Sequence, residues 1–77
     1  MNIAQAVGCR VKQLLFEKEI TQYRLVKQTC LNEKTVSDLI KGKTKDVKLS
    51  TIMLMCNVFS ITLQEFFTSD LFDNIED

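Results

Sequence analysis

Apolar residues recur along this chain at intervals of three and four positions, which is the period of one face of an α-helix and not that of a strand. The first repeat predicts a helix over about residues 3–18, followed by a short turn. Its apolar stripe comprises Ile3, Val7, Val11, Leu14 and Leu15. Because the sequence has no proline and only two glycines, which are the strongest helix breakers, the pattern predicts an all-α fold.

Two shorter repeats follow within residues 21–42, and a residue that can cap a helix precedes each of them. Thr21 can accept a hydrogen bond from the backbone N–H groups that open the first helix, and Asn32 can do so for the second. Gly42 then ends the second helix, because glycine adopts positive φ at little cost. The predicted buried faces are Tyr23, Leu25 and Val26 in the first and Val36, Leu39 and Ile40 in the second. Two helices joined by so short a connection cross steeply, which leaves the outer face of the second free to enter a groove.

The rest of the chain predicts two further helices and an acidic end. Ser50 is predicted to cap a fourth helix over about residues 51–59, and Thr62 to cap a short fifth helix. The residues assigned to the core are Ile52, Met55, Cys56 and Phe59 in the fourth helix and Leu63, Phe66 and Phe67 in the fifth. We expect one domain over residues 1–69 and an acidic C-terminal tail over residues 70–77. This tail is either frayed or docked through its apolar residues, which are Leu71, Phe72 and Ile75.

Charge is distributed unevenly, although the net charge of the chain is zero. All ten Lys and Arg residues lie within residues 1–48 together with five acidic residues, so this part carries +5. Residues 49–77 carry five acidic residues and no basic one, which makes −5. A molecule with this polarity can present a basic face to phosphate while its acidic end points away. The acidic end can also simply keep the domain soluble, and both interpretations can hold together.

Several function classes find no support in the sequence. Cys9, Cys30 and Cys56 are odd in number and widely spaced, and there is no histidine, so neither a zinc site nor a disulfide framework is expected. The chain has no glycine-rich phosphate loop and no nucleophile beside a base, so we expect neither an enzyme nor a cofactor. No apolar run has the length of a membrane span and no signal peptide opens the chain, so we expect a cytoplasmic protein with no membrane partner.

An ordered set of residues at characteristic spacings resembles the helix-turn-helix of the Cro and phage-repressor family, also called the Xre type. The resemblance covers about residues 3–68. The matching residues are Gly8, Arg10, Val11, Lys12, Leu14, Thr21, Gln22, Leu25, Lys27, Leu31, Asn32, Val36, Ser37, Leu39, the loop Gly42-Lys43-Thr44-Lys45, and Leu49, Ile52, Phe59, Ile61 and Leu63. It implies a compact five-helix domain of the phage-repressor DNA-binding type, in which helices 2 and 3 form the helix-turn-helix.

The resemblance also implies that residues 32–41 form a recognition helix that lies in the major groove. The base-contacting candidates at matching positions are Glu33, Lys34, Thr35, Ser37 and Asp38. Lys34 is the best donor to guanine O6 or N7, while Glu33 or Asp38 can accept from cytosine N4. Alternatively, Glu33 only favours the helix N-terminus and Asp38 only pairs with Lys34 one turn away. The set differs from the Gln, Ser and Arg usual in the family, so it predicts no operator sequence.

The family pattern further implies contacts with the DNA phosphates at both ends of the helix pair. The candidates are Gln22, Asn32, Lys41, Lys43, Thr44, Lys45 and Lys48. A lysine cluster is more often just a solvated face, and its place after the recognition helix is what favours phosphate binding here. Cys30 stands where the turn usually has glycine, so we expect a non-glycine residue at positive φ, at a cost of about 1–2 kcal/mol.

Two predictions about partners follow. We expect a homodimer that uses surface apolar residues, because a single small domain reading one half-site would bind weakly. The candidate interface residues are Phe16, Leu54, Val58 and Ile61, and the alternative is an ordinary surface with a few apolar residues. The leading hypothesis is a sequence-specific transcriptional regulator, most simply a repressor, which binds double-stranded DNA and no evident small molecule. The alternative is an antitoxin-like module that binds a partner protein through its acidic, aromatic C-terminal segment.

Overall fold

A computed structural model describes residues 1–76 of the chain as an all-helical domain, and no strand occurs among these residues. Five α-helices and one short 3₁₀ turn follow one another along the chain. They are α1 (Ile3–Glu17), α2 (Gln22–Thr29), α3 (Glu33–Ile40), α4 (Leu49–Phe59), α5 (Leu63–Phe67) and the 3₁₀ turn Asp70–Phe72. The predicted five-helix fold is confirmed, with α2 and α3 as the helix-turn-helix. α1 packs against α3 and α2 packs against α4, so α3 is held from behind by the rest of the domain.

Side-chain caps set the start of most helices, as local sequence predicted. Thr21 Oγ1 accepts a hydrogen bond from the backbone N–H of Arg24 at 3.1 Å, and Thr62 forms a reciprocal capping box with Glu65. The prediction for Ser50 is wrong. α4 begins at Leu49, its N-cap is Lys48, and no side chain caps it. The Lys48 carbonyl already accepts from the N–H of Ile52, so the first turn closes before Ser50 can take the cap position.

The core is formed by the inner faces of all five helices, and two predicted core residues lie outside it. The largest fully buried side chains are Phe59, Phe66, Leu14, Leu25, Met55, Val7, Val11, Val36 and Cys56. Ile3 is 41% exposed, because in the first turn of α1 it is Ala4 that points inward. Tyr23 is 70% exposed, and its ring lies 5.5 Å from Lys27 Nζ instead of in the core. A helix as short as α2 buries a narrow stripe, which is centred on Leu25.

Gly8 allows α1 to lie directly against the end of α3. A methyl group at this position would overlap the carbonyl oxygen of Leu39 and press on that of Ile40. These atoms belong to the backbone of α3 and cannot move aside as a flexible side chain could. The absence of a side chain at Gly8 therefore sets how closely the predicted recognition helix approaches the body of the domain.

Arg10 joins α1 to the end of α5, more than fifty residues away in sequence. Its Nε donates to the Phe66 carbonyl at 2.7 Å and its Nη2 to the Glu65 carbonyl at 2.8 Å. The third guanidinium nitrogen, Nη1, donates to Gln13 Oε1 at 2.6 Å. Carbonyl groups in the last turn of a helix lack a full set of intrahelical donors, and the guanidinium donates to two of them; the Glu65 carbonyl also accepts from the Thr68 N–H at 3.3 Å. Arg10 therefore joins α1 to α5 through hydrogen bonds.

The turn between α2 and α3 contains the strained residue that the sequence predicted. Cys30 has φ 59° and ψ 22°, in the left-handed region. The buried hydroxyl of Thr29 donates to the Leu25 carbonyl at 2.7 Å, which helps to hold the turn. The chain accepts a backbone conformation here that glycine would adopt without strain.

Replacing Cys30 with glycine is expected to raise the free energy of unfolding by about 0.5–1 kcal/mol. Relief of left-handed strain is worth about 1–2 kcal/mol, and the greater freedom of glycine in the unfolded chain offsets part of it. Urea unfolding under reducing conditions measures the change. Gly42→Ala is the matched control, because Gly42 has φ 75° and alanine there should destabilise. Equal or lower stability of Cys30→Gly would show that strain at this turn is negligible.

The acidic C-terminal segment is docked through Phe72 and through its backbone, which agrees with one of the two alternatives that the sequence left open. The Phe72 ring lies 5.0 Å from the ring of Phe67 and packs against the core. The backbone N–H of Glu76 donates to the Met1 carbonyl at 3.1 Å, beside the start of α1. Asp77, the last residue of the predicted tail, lies outside the described residues, and the division between domain and tail after residue 69 stays a prediction.

Candidate nucleic-acid interface

The predicted base-contacting residues all lie on α3, outside its buried face. Val36, Leu39 and Ile40 are buried against the core, and the other side chains of the helix are at least partly exposed. Glu33, Lys34 and Thr35 are exposed, and Ser37 and Asp38 are half-buried. α3 therefore presents a polar strip with donors and acceptors of both charges.

Asn32 defines where this strip begins. Its side-chain oxygen Oδ1 accepts from the backbone N–H of Lys34 at 2.8 Å, which confirms the predicted cap. The side chain stays exposed while it caps the helix, so its amide NH₂ lies at the surface beside the first turn of α3.

Lys34 and Asp38 form an ion pair on the strip, as the alternative interpretation of these two residues expected. Lys34 Nζ lies 2.8 Å from Asp38 Oδ2, and the side chains are 83% and 32% exposed. The hydrogen bond from Lys34 holds the pKa of the Asp38 carboxyl below its usual range, and the charges of Lys43 and Lys41 act in the same direction. The same bond raises the pKa of Lys34. An ion pair at the surface adds little to the stability of the fold, so the importance of this pair lies in the hydrogen-bonding groups that it presents to a ligand.

The lysine-rich loop is attached to the end of α3 by backbone hydrogen bonds. The N–H of Lys43 donates to the Asp38 carbonyl at 2.9 Å, and the N–H of Gly42 donates to the Leu39 carbonyl at 3.1 Å. Gly42 makes this possible with its φ of 75°. Four phosphate candidates in the loop are exposed, namely Lys41, Lys43, Lys45 and Lys48, and the fifth, Thr44, is half-buried. Four exposed ammonium groups therefore follow α3 directly.

The remaining phosphate candidate, Gln22, borders a concavity between α2 and α3. It is the first residue of α2, is exposed, and shares this concavity of about 620 Å³ with Glu33 at the first turn of α3. Tyr23 and Lys27 line the same concavity, and sequence reasoning did not assign either of them a place at the surface of the site. The two residues are four positions apart on a helix, and this spacing was the sequence signal from which a contact between Tyr23 and Lys27 at the surface could have been predicted.

The predicted dimer residues do not share one environment. Phe16 is 87% exposed on the last turn of α1, beside Leu15 and Ile20. Leu54 is exposed on α4, whereas Val58 and Ile61 are half-buried and pack against the core. The exposed apolar residues of α4 also include Leu49 and Met53.

Comparison with known proteins agrees with this geometry. The family model of the Cro/C1-type helix-turn-helix DNA-binding domain matches residues 10–70, which is most of the chain. The chain therefore belongs to the Cro/C1-type helix-turn-helix family and is a DNA-binding regulator. No curated protein matches the sequence. Among residues 1–76, no helix has the length and apolar character to cross a membrane, and no group of three or more His, Cys, Asp or Glu side chains is placed to hold a metal ion.

Proposed function

We propose that this protein is a cytoplasmic, sequence-specific transcriptional repressor. It occupies its operator with α3 in the major groove of double-stranded DNA. The observation that carries the proposal is the arrangement of α3, whose back is buried and whose polar strip is followed at once by exposed lysines. A helix that presents such a strip reads base edges, and lysines beside it contact the phosphates on either side of the groove. Glu33, Lys34, Thr35, Ser37 and Asp38 are the base-contacting residues in this proposal.

The phosphate contacts come from both ends of the helix pair. Gln22 and Asn32 lie at the N-terminal ends of α2 and α3, where backbone N–H groups favour an anion. The loop supplies Lys41, Lys43, Thr44, Lys45 and Lys48. No cofactor and no small molecule enters the proposal, so occupancy of the operator depends on protein concentration and on DNA sequence.

We place two copies of the protein on each operator. A single recognition helix reads only a few base pairs, and a two-fold symmetric pair of half-sites supplies the rest of the affinity. Leu54 on the exposed side of α4 is the centre of the proposed contact, with the half-buried Val58 and Ile61 as further candidates and Phe16 as a candidate at a separate place on α1.

Selection of bound sequences from a random pool of duplex DNA tests the proposal. A two-fold symmetric consensus would support both sequence-specific binding and the dimer. A consensus without symmetry would support the regulator and contradict the dimer. If no sequence were enriched at low salt, sequence-specific binding would be refuted.

Lys43→Ala should weaken binding to all DNA sequences to a similar extent. Its ammonium neutralises a phosphate in the proposal, so the slope of log K against log salt concentration should become shallower by about one unit. Lys18→Ala is the matched control, because Lys18 is an exposed lysine at the end of α1 and lines a concavity with α5 residues, away from the loop. An equal change of slope in both variants would contradict the phosphate role of Lys43.

The antitoxin-like alternative receives less support. It requires the aromatic, acidic C-terminal segment to be available for a partner protein, and the Phe72 ring packs against Phe66 and Phe67 of the same chain. Retention of a second protein on purification, lost on removal of residues 70–77, would favour this alternative.

A further inference from the structure

The Lys34–Asp38 pair places one hydrogen-bond donor and one acceptor side by side on the outer strip of α3. Lys34 Nζ and Asp38 Oδ2 are 2.8 Å apart. An ammonium group has three N–H donors and a carboxylate accepts at several positions, so each partner keeps unused capacity after forming this bond. The ion pair can therefore make further hydrogen bonds outward without being broken.

A base pair presents the complementary arrangement in the major groove. The guanine O6 acceptor and the cytosine N4 donor of one G·C pair are hydrogen-bonded to each other, so they lie about 2.9 Å apart. The spacing between donor and acceptor on the protein thus matches the spacing between acceptor and donor on the base pair. Two new bonds, from the ammonium to O6 and from N4 to the carboxylate, would close a ring of four charged or polar groups.

We propose that the Lys34–Asp38 ion pair reads a single base pair as one unit, with the ammonium on a keto oxygen and the carboxylate on the amino group paired to it. This inference rests on the proposed function, and it specifies which base pair the site takes. It replaces the simpler arrangement in which Lys34 and Asp38 contact bases independently at two different positions of the operator.

The order of preference among the four base pairs follows from their edges. G·C offers O6 and N4–H in the required order, and guanine N7 accepts a second ammonium N–H. T·A offers O4 and N6–H in the same order, but the thymine methyl group takes the place of N7. A·T and C·G reverse the order, so an amino group faces the ammonium and a keto oxygen faces the carboxylate. The expected ranking is G·C, then T·A, then the two reversed pairs.

Asp38 also limits binding to unrelated DNA. Its carboxylate lies next to Lys34 and in the field of Lys41 and Lys43, which favours the charged form that accepts hydrogen bonds. That charge neutralises the ammonium of Lys34, so the pair as a whole adds little attraction to phosphate. A base edge of the right order gives new bonds to both members of the pair, whereas a phosphate offers acceptors to Lys34 alone, so the pair gains specificity without an equal gain in general affinity.

The experiment begins with the consensus duplex selected by the wild-type protein from the random pool. Each position of this duplex is then changed to all four base pairs, and binding is measured for the wild type, Lys34→Ala, Asp38→Ala and the double variant. We expect the wild type to prefer G·C over the reversed pairs by about 10- to 100-fold at one position. Both single variants should lose this preference at that same position, and the double variant should lose no more than either. Asp38→Ala should in addition bind non-specific duplex more tightly than the wild type does.

The charge-swapped variant Lys34→Asp with Asp38→Lys is the sharpest test. It retains an ion pair at a spacing that a helix favours but exchanges donor and acceptor, so the preferred base pairs should become A·T and C·G. Circular dichroism and urea unfolding check that the variants stay folded, which we expect because both substituted side chains lie at the surface.

The outcomes separate this inference from the function on which it rests. Failure of the wild type to enrich any sequence would refute sequence-specific binding and the inference together. A clear consensus in which the Lys34 and Asp38 variants relax different positions, or act additively, would overturn the inference and leave the proposed function standing.

Discussion

Phe66→Ala is expected to lower the free energy of unfolding by about 3–5 kcal/mol. The side chain is fully buried and its ring lies 5.1 Å from that of Phe67 and 6.2 Å from that of Phe72. Truncation would leave a cavity where α5, the 3₁₀ turn and the core meet. Domains of this size have roughly 5–10 kcal/mol of stability in total, so the variant should be marginally folded at 25 °C. Urea unfolding followed by circular dichroism measures the loss.

Phe16→Ala is the matched control, because it makes the same chemical change at a side chain that is 87% exposed. Its effect on unfolding should be within about 0.5 kcal/mol when measured at low protein concentration, where any contact between copies is absent. A similar loss in both variants would mean that the burial of Phe66 does not stabilise the domain. A loss for Phe16→Ala that grows with protein concentration would support the proposed part of Phe16 in a dimer.

Gly8→Ala is expected to destabilise the domain by about 3 kcal/mol, at the upper end of the usual range for overpacking. The added methyl group meets backbone carbonyl oxygens of Leu39 and Ile40, so α1 and α3 must separate. Helix propensity alone predicts the opposite sign, since alanine in a helix interior is favoured over glycine by about 1 kcal/mol. The sign of the measured change therefore decides between close packing and propensity.

Lys12→Ala serves as the control for Gly8→Ala, because Lys12 is exposed on the same helix and should change stability by less than about 0.5 kcal/mol. Thermal unfolding of the two variants gives the comparison. If Gly8→Ala raised the stability, α1 and α3 would not be in the close contact that the structure shows. Because α3 carries the proposed base-contacting strip, a destabilised Gly8→Ala should also bind the selected DNA more weakly near its unfolding temperature.

Local sequence was sufficient to predict the helices and most of their starting points. Thr21, Asn32 and Thr62 were predicted as caps and act as caps, because a capping bond joins residues two or three positions apart. The left-handed residue at Cys30 followed from the family resemblance, because glycine usually occupies this position of the turn. Ser50 was the exception, since Lys48 takes the cap position without a side-chain bond and the two candidates differ by only two residues.

The candidate interface was predictable to the extent that it lies on one helix and one loop. The residues of α3 and the lysines after it are close in sequence, so helical periodicity places them together. The Lys34–Asp38 bond was an open alternative at the level of the sequence, because a spacing of four positions permits an ion pair without requiring it. In the folded domain the pair forms, which changes the way the two side chains can act on DNA.

The amino-acid sequence by itself determined the five helices, the turn between α2 and α3, and the polar strip of α3, because these depend on propensity, capping and periodicity within a few residues. Only the tertiary structure decided the features that join distant parts of the chain. Arg10 binds carbonyls at the end of α5, Gly8 lies against the end of α3, and Phe72 packs on Phe67. Such contacts depend on how the helices pack in three dimensions, and one sequence pattern is compatible with several packings until the core is assembled.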